Sequence, residues 1–203
     1  MNSLQPDTTE TKPQAGSAAG VGRIEEEIWV LQAQRGDEEA FGQLMDRYDR
    51  KLVYYLMRFT ASPELALDVA QEVWISVFRC LRKLHNPGVF RAWLYRIAHA
   101  KVVSQIRKQV REDQVLESFS AEQEQSLSDE EPISGDPELV RRALATLSAE
   151  HREVLVLRFL EDMSLEEVAH ALDCRLGTVK SRLHYAKQAL KAQIETEVRH
   201  EEH

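Results

Sequence analysis

The sequence predicts an all-α protein: two helical domains joined by an acidic flexible linker, with a C-terminal helix-turn-helix in the second. Three observations carry this. Apolar residues recur at intervals of three and four along most of the chain, and no stretch alternates in polarity as a half-buried strand would. Residues 112–136 hold 9 acids and no base. Near the C-terminus two short helical patterns flank a tight turn, and the second of them is basic and free of acids.

The elements follow in order. Met1 to Gly22 is polar and rich in Thr, Pro, Gly and Ala, which reads as a disordered leader. Helical spacing begins near Arg23. Phe41, Leu44, Met45, Tyr48, Leu52, Tyr55, Leu56 and Phe59 form one apolar stripe. Ser62-Pro63 interrupts it, with Ser62 suited to an N-cap and Pro63 to the first helical position. A second stripe runs from Leu65 through Val69, Val73, Val77 and Leu81 to Leu84, where His85-Asn86-Pro87-Gly88 is turn chemistry. A third helix carries Phe90, Trp93, Leu94, Ile97, Ala98 and Ile106. These make a first domain over 23–111. Residues 112–136 have few apolar side chains and form the linker, whose 25 residues reach roughly 80 Å when stretched.

The second domain, 137–194, reads as four helices ahead of a charged tail, 195–203. Leu139, Leu144 and Leu147 belong to the first, and Val154 to Leu160 to the second. Ser164 with Glu167 is a capping-box signature that starts a third helix at Leu165 and runs it to about Leu172. After the turn Asp173-Cys174-Arg175, Thr178 is a candidate N-cap for a fourth, from Val179 to about Ile194. Small Ala169 allows the close crossing that a helix-turn-helix needs.

Composition excludes several classes. The chain has 203 residues, 43% of them hydrophobic, enough for a core. Two cysteines exclude a disulfide scaffold, and Cys80 and Cys174 are expected to be reduced thiols. No run approaches the roughly 20 apolar residues of a membrane span, so no membrane insertion and a cytoplasmic location are expected. The net charge of −8 argues against a nucleic-acid partner only as an average. Val73 to Arg111 contains nine bases and no acid, and Cys174 to Gln193 five bases and no acid. Two basic stretches separated by an acid-only one suggest two polyanion-facing surfaces.

Candidate chemistry is sparse. His170 and Cys174 stand four residues apart but lack two further ligands, so no metal is expected. Neither thiol has the surroundings of a nucleophile, no glycine-rich phosphate loop occurs, and no acid–base pair is specified. Neither a cofactor nor a catalytic activity is expected. Asp68, Gln71 and Glu72 lie along one helical face, where a solvated stripe is the plainer explanation on spacing alone. Trp93 fits a core position better than a base-stacking one.

Taken together, four segments resemble the bacterial RNA polymerase sigma factors, specifically the extracytoplasmic-function (ECF) group. They are Gly36-Asp37-Glu38-Glu39-Ala40-Phe41, Asp68-Val69-Ala70-Gln71-Glu72-Val73-Trp74, Phe90 to Ala98 and Leu176 to His184. The resemblance implies a dissociable subunit that binds core polymerase, recognises two promoter elements and promotes strand opening. It implies that Asp68, Gln71 and Glu72 contact the β′ clamp helices, and that the second domain meets the β flap. His85 to Val89 matches the loop that captures an unstacked promoter base. Arg91, Arg96, Lys101, Arg107 and Lys108 would hold the phosphates of the opened strand. Arg175, Thr178, Lys180, Ser181, Arg182 and Lys187 would dock the upstream element in the major groove. An anti-sigma factor is a further implied partner. Ala100 and Ser104 stand where relatives commonly carry Asn and Asp, Tyr185 where a base is common, and Asp173 where Gly is frequent. The other classes the residues allow are a helical regulator acting alone on duplex operators and a helical interaction protein without DNA.

Overall fold

Two long helices of the first domain start where a side chain satisfies one of their first free N–H groups. The computed structural model describes the backbone of residues 15–116 and 137–201, and the side chains of residues 21–107, 140 and 142–196. Helix α1, Ala15–Gln34, ends at a turn in which Gly36 takes φ +97°, a conformation open to glycine. Asp37 then caps α2, Glu38–Leu56, by accepting from the Ala40 N–H at 3.0 Å. Ser62 caps α3, Pro63–Cys80, with Pro63 in its first turn as the sequence required. Asn86 accepts from the Gly88 N–H at 3.0 Å and opens a 3-10 turn, Pro87–Val89, that leads into α4, Phe90–Leu116.

Two boundaries of the first domain differ from those expected. α1 begins at Ala15, within the segment read as a leader, because Ala15 to Gly20 is rich in alanine, the best helix former. α4 runs on to Leu116, five residues into the segment read as linker, since no Gly or Pro stops it before Pro132. Residues 117–136, the rest of that acidic stretch, lie outside the described residues, as do 1–14.

In the second domain α5 is Pro137–Ala145, α6 Ala149–Leu155, α7 Leu165–Ala171 and α8 Leu176–Glu201. The expected continuous second helix widens into a π turn over Val156–Leu160, where the Glu161 N–H donates to the Val156 carbonyl at 3.0 Å. Asp162 at φ 48° ends it. The α7 capping box forms as read: Ser164 accepts from the Glu167 N–H, and Glu167 from the Ser164 N–H. Asp173 takes φ 50°, the left-handed conformation that Asp tolerates where glycine is frequent. The N-cap assigned to Thr178 is not observed. α8 starts at Leu176, and the Arg175 carbonyl accepts from the N–H groups of both Thr178 and Val179, which puts Thr178 inside the first turn. The same helix passes Ile194 and continues to Glu201.

All the regular elements among the described residues are helical, and their apolar faces meet as the sequence stripes require. Tyr55, Leu44, Leu52, Leu56, Phe90, Leu94 and Tyr95 are fully buried in the first domain, with Tyr55 and Tyr95 edge to face at 5.3 Å. Trp93 packs part-buried on this core, its ring 6.1 Å from Phe90. Gln34 ties the end of α1 to the end of α3 by donating to the Leu81 and Leu84 carbonyls at 2.9 and 2.7 Å. The two domains are not separate bodies: α7 packs along α4, and the buried cores run together.

Candidate nucleic-acid interface

The face of α3 assigned to polymerase is exposed. Asp68 and Gln71 line an open groove with Leu67, Trp74, Ile75 and Phe78, and Phe78 is 67% exposed. Trp74 is held at the groove floor, its indole N–H donating to Asp49 at 2.8 Å. Sequence reading found the polar residues of this face and missed its apolar ones. Leu67, Ile75 and Phe78 fall off the core stripe, and that was the available signal. Glu72 does not line the groove. It accepts an ion pair from Lys101 of α4 at 2.8 Å, so one residue assigned to polymerase and one assigned to DNA are joined.

The phosphate-holding set on α4 is divided. Arg91, Tyr95 and His99 stand at four-residue spacing on one stripe, and each faces an acid of the second domain. Arg91 donates to Glu167 at 2.7 Å, Tyr95 lies beside Glu161, and the His99 Nδ1 meets Glu153 at 2.8 Å. Arg96, alongside, pairs with Asp173 at 3.1 Å. Arg107 is exposed and makes an interaction of its own, and Lys108 falls on α4 with its side chain outside the described residues. Ala100 and Ser104, the two departures, are exposed on the same helix.

Two of these acids are buried, Glu153 and Glu161 at 6% exposure each. Glu153 accepts from the Tyr55 hydroxyl as well as meeting His99. Burial and the neighbouring Glu153 charge push the Tyr55 hydroxyl well above its ordinary range. Burial likewise raises the Glu161 carboxyl, against the pull of Tyr95, Lys51 and Arg91. The Tyr95 hydroxyl is buried beside that carboxyl. Glu167 is the reverse: burial works against its charge, but the Ser164 N–H and Arg91 hold it below the usual carboxylate range. At the far end of the joint, Arg152 donates to the Arg58 carbonyl at 2.6 Å and to the carbonyls that close α5, at Leu144, Ala145 and Leu147. Tyr55 was read only as part of an apolar stripe, and none of His99, Arg152, Glu153 and Glu161 was singled out from the sequence. A charged residue just before the apolar run Val154 to Leu160, and another just after it, were the only signals.

On α8 the upstream set separates by exposure. Arg175, Lys180 and Ser181 are exposed at the start of the helix, with Thr178 half-buried beside them. Arg182 turns inward to pair with Glu150 of α6 at 2.9 Å. Lys187 lies over the Phe159 ring at 5.1 Å. Tyr185 is exposed against His184.

An all-helical pair of domains with an exposed polar and apolar face on one and a helix-turn-helix on the other defines a transcription-factor architecture. Residues 44–112 match Sigma-70 region 2 and residues 143–192 match Sigma-70, region 4. The chain is 32% identical over 190 residues to the ECF RNA polymerase sigma-E factor of Escherichia coli, covering 87% of this chain and 98% of that one. Among solved structures it is similar to CnrH in complex with the cytosolic domain of CnrY, with 26% identity, a TM-score of 0.64, and coverage of 85% of this chain and 98% of that one. The sigma factor RpoE of Bartonella quintana, solved in complex with the anti-sigma factor NepR, shares the fold at a TM-score of 0.68 and 24% identity over 76% of this chain and 96% of that one. The chain belongs to the ECF RNA polymerase sigma factors.

Proposed function

We propose that this chain guides core RNA polymerase to promoters in three acts. The first domain docks on the polymerase, the helix-turn-helix reads an upstream element, and the basic face of α4 holds the separated strand. Strand opening then draws on differential binding of the opened strand, without a cofactor or a covalent step. The observation that carries the reading is the order of surfaces along one chain. An exposed carboxylate-edged apolar groove on α3 is followed by the basic α4 and then by the basic start of α8. A groove of that kind suits helices that present both apolar and basic side chains, and in this reading the β′ clamp helices of the polymerase are those helices. Flap contact falls to the second domain. The same surfaces suit occlusion by an anti-sigma factor, the kind of partner bound to the Bartonella relative.

Within the upstream set, Arg175, Lys180 and Ser181 become the preferred contacts, because Arg182 and Lys187 already hold partners. Within the polymerase set, Asp68 and Gln71 are preferred over Glu72 for the same reason. The test is an association measurement with core polymerase. Asp68→Ala combined with Gln71→Ala is expected to weaken binding by roughly tenfold or more while helicity and melting stay those of the parent. Undiminished binding would refute the docking assignment.

A further inference from the structure

The residues proposed to hold the opened strand are the ones that the second domain covers. Three acids come from three successive places in that domain, before, at the end of and after the π turn, and they meet one stripe of α4 in reverse order. Glu153 faces His99, Glu161 faces Tyr95 and Glu167 faces Arg91. Asp173, in the turn of the helix-turn-helix, adds a fourth on Arg96. A carboxylate at 2.7 to 3.1 Å from a guanidinium occupies the place a phosphate oxygen would take on the same group. Phosphate and carboxylate therefore compete for the same N–H groups of Arg91 and Arg96, and a carboxylate seated there, with its negative charge, disfavours a phosphate beside it.

The joint has the character of a contact built to part. Beside the apolar core that the domains share, the joint buries charge: Glu153 accepts from Tyr55 and meets His99 of the first domain, and makes no other side-chain hydrogen bond among the described residues. Separation returns Glu153 and Glu161 to water, which offsets much of what is lost at the joint. An interface sealed by aliphatic side chains would lack that compensation. The exposed start of α8 stays outside the joint, so Arg175, Lys180 and Ser181 are uncovered in the same arrangement.

We propose that the two domains form a self-masking clasp. Glu167 and Asp173 hold Arg91 and Arg96 in place of strand phosphates, and Glu153 keys the joint between Tyr55 and His99. The free chain accordingly takes up single-stranded DNA only when the domains part. The ligand displaced is a single strand, not duplex, since the masked arginines Arg91 and Arg96 lie on α4, while Arg175, Lys180 and Ser181 about the start of α8 stay uncovered. This rests on the proposed function for the role of Arg91 and Arg96 and goes beyond it in assigning the second domain as their competitor.

The full chain tests this directly with a short fluorescein-labelled single strand of mixed sequence, a mixed-sequence duplex as control, and small-angle scattering for the separation of the domains. Asp173→Asn removes one carboxylate and leaves a residue that tolerates the left-handed turn. Glu153→Lys reverses a charge whose side-chain hydrogen bonds, among the described residues, go to the other domain. Both are expected to enlarge the radius of gyration and to tighten single-strand binding, by roughly fivefold or more for Glu153→Lys, with duplex binding unchanged. Arg96→Ala added to Glu153→Lys should remove most of the gain. Expansion without tighter binding would overturn the masking. If initiation by core polymerase were also indifferent to Arg96→Ala, the strand-contact reading would fall with it. Absence of expansion in both variants, with initiation still sensitive to Arg96→Ala, would overturn the clasp and leave the proposed function standing.

Discussion

Single side chains settle where this chain turns and how its domains are joined. Ser164 satisfies the start of a helix only seven residues long, so its loss is felt in full: Ser164→Ala is expected to cost about 1 kcal/mol, measurable as a shift in the denaturation midpoint. Arg152 does more than carry charge. Four backbone carbonyls from two domains converge on one guanidinium, and burial opposes its charged form. Arg152→Ala removes this donor from the Ala145, Leu147 and Arg58 carbonyls and from that of Leu144, which keeps the Leu147 N–H, and a loss of about 2 to 4 kcal/mol is expected. Arg152→Lys should rescue little, because a point charge cannot reproduce the planar fork. A fully restored melting temperature in the lysine variant would contradict that account.

Helices and their caps were the most legible level in the sequence. Ser62-Pro63, the Ser164 and Glu167 box and the left-handed Asp173 all form where local chemistry put them, since each depends on residues within three or four positions. Thr178 shows how such a reading fails. Its type suits an N-cap, but Gly177 tolerates helical backbone and Leu176 starts the turn, so the helix reaches back past it. Two outcomes follow at this scale. Thr178→Ala should change stability by less than about 0.5 kcal/mol, as for a half-buried position whose side chain caps nothing. Gly177→Ala should stabilise by about 0.5 to 1 kcal/mol, because a methyl there meets no atom within 4 Å and the change removes freedom only from the unfolded chain. A destabilised alanine variant would mean that Gly177 serves a conformation other than the helix described. The π turn over Val156–Leu160 was not legible, because its i to i−5 bonding answers to where Glu161 must sit against α4 and not to local sequence.

At the scale of the whole molecule the basic face of α4 meets acids of the second domain, and this is what the segmental charges did not reveal. Bases on α4 were read as facing solvent and polyanion, yet four acids of the second domain meet that helix, a long-range pairing without a periodic signature. The pairing has a pH dependence whose sign follows from Glu161. Burial raises its carboxyl in the joined state, with Tyr95 and Arg91 of α4 and Lys51 of α2 opposing, while a hydrated Glu161 in parted domains has the ordinary value. The joined state then binds the proton more tightly. Its advantage is present in full below the ordinary carboxylate range and fades as pH climbs through the raised value. Scattering should therefore report a smaller radius of gyration in mild acid than at neutral pH, and Glu161→Gln should flatten the difference. The promoter-guiding role itself is tested most directly by run-off transcription with core polymerase on a library of promoter fragments. Addition of the full chain should start transcripts from a defined subset, with Asp68→Ala/Gln71→Ala reducing all of them. Fragments left silent, with the chain bound to duplex in the absence of polymerase, would contradict the account.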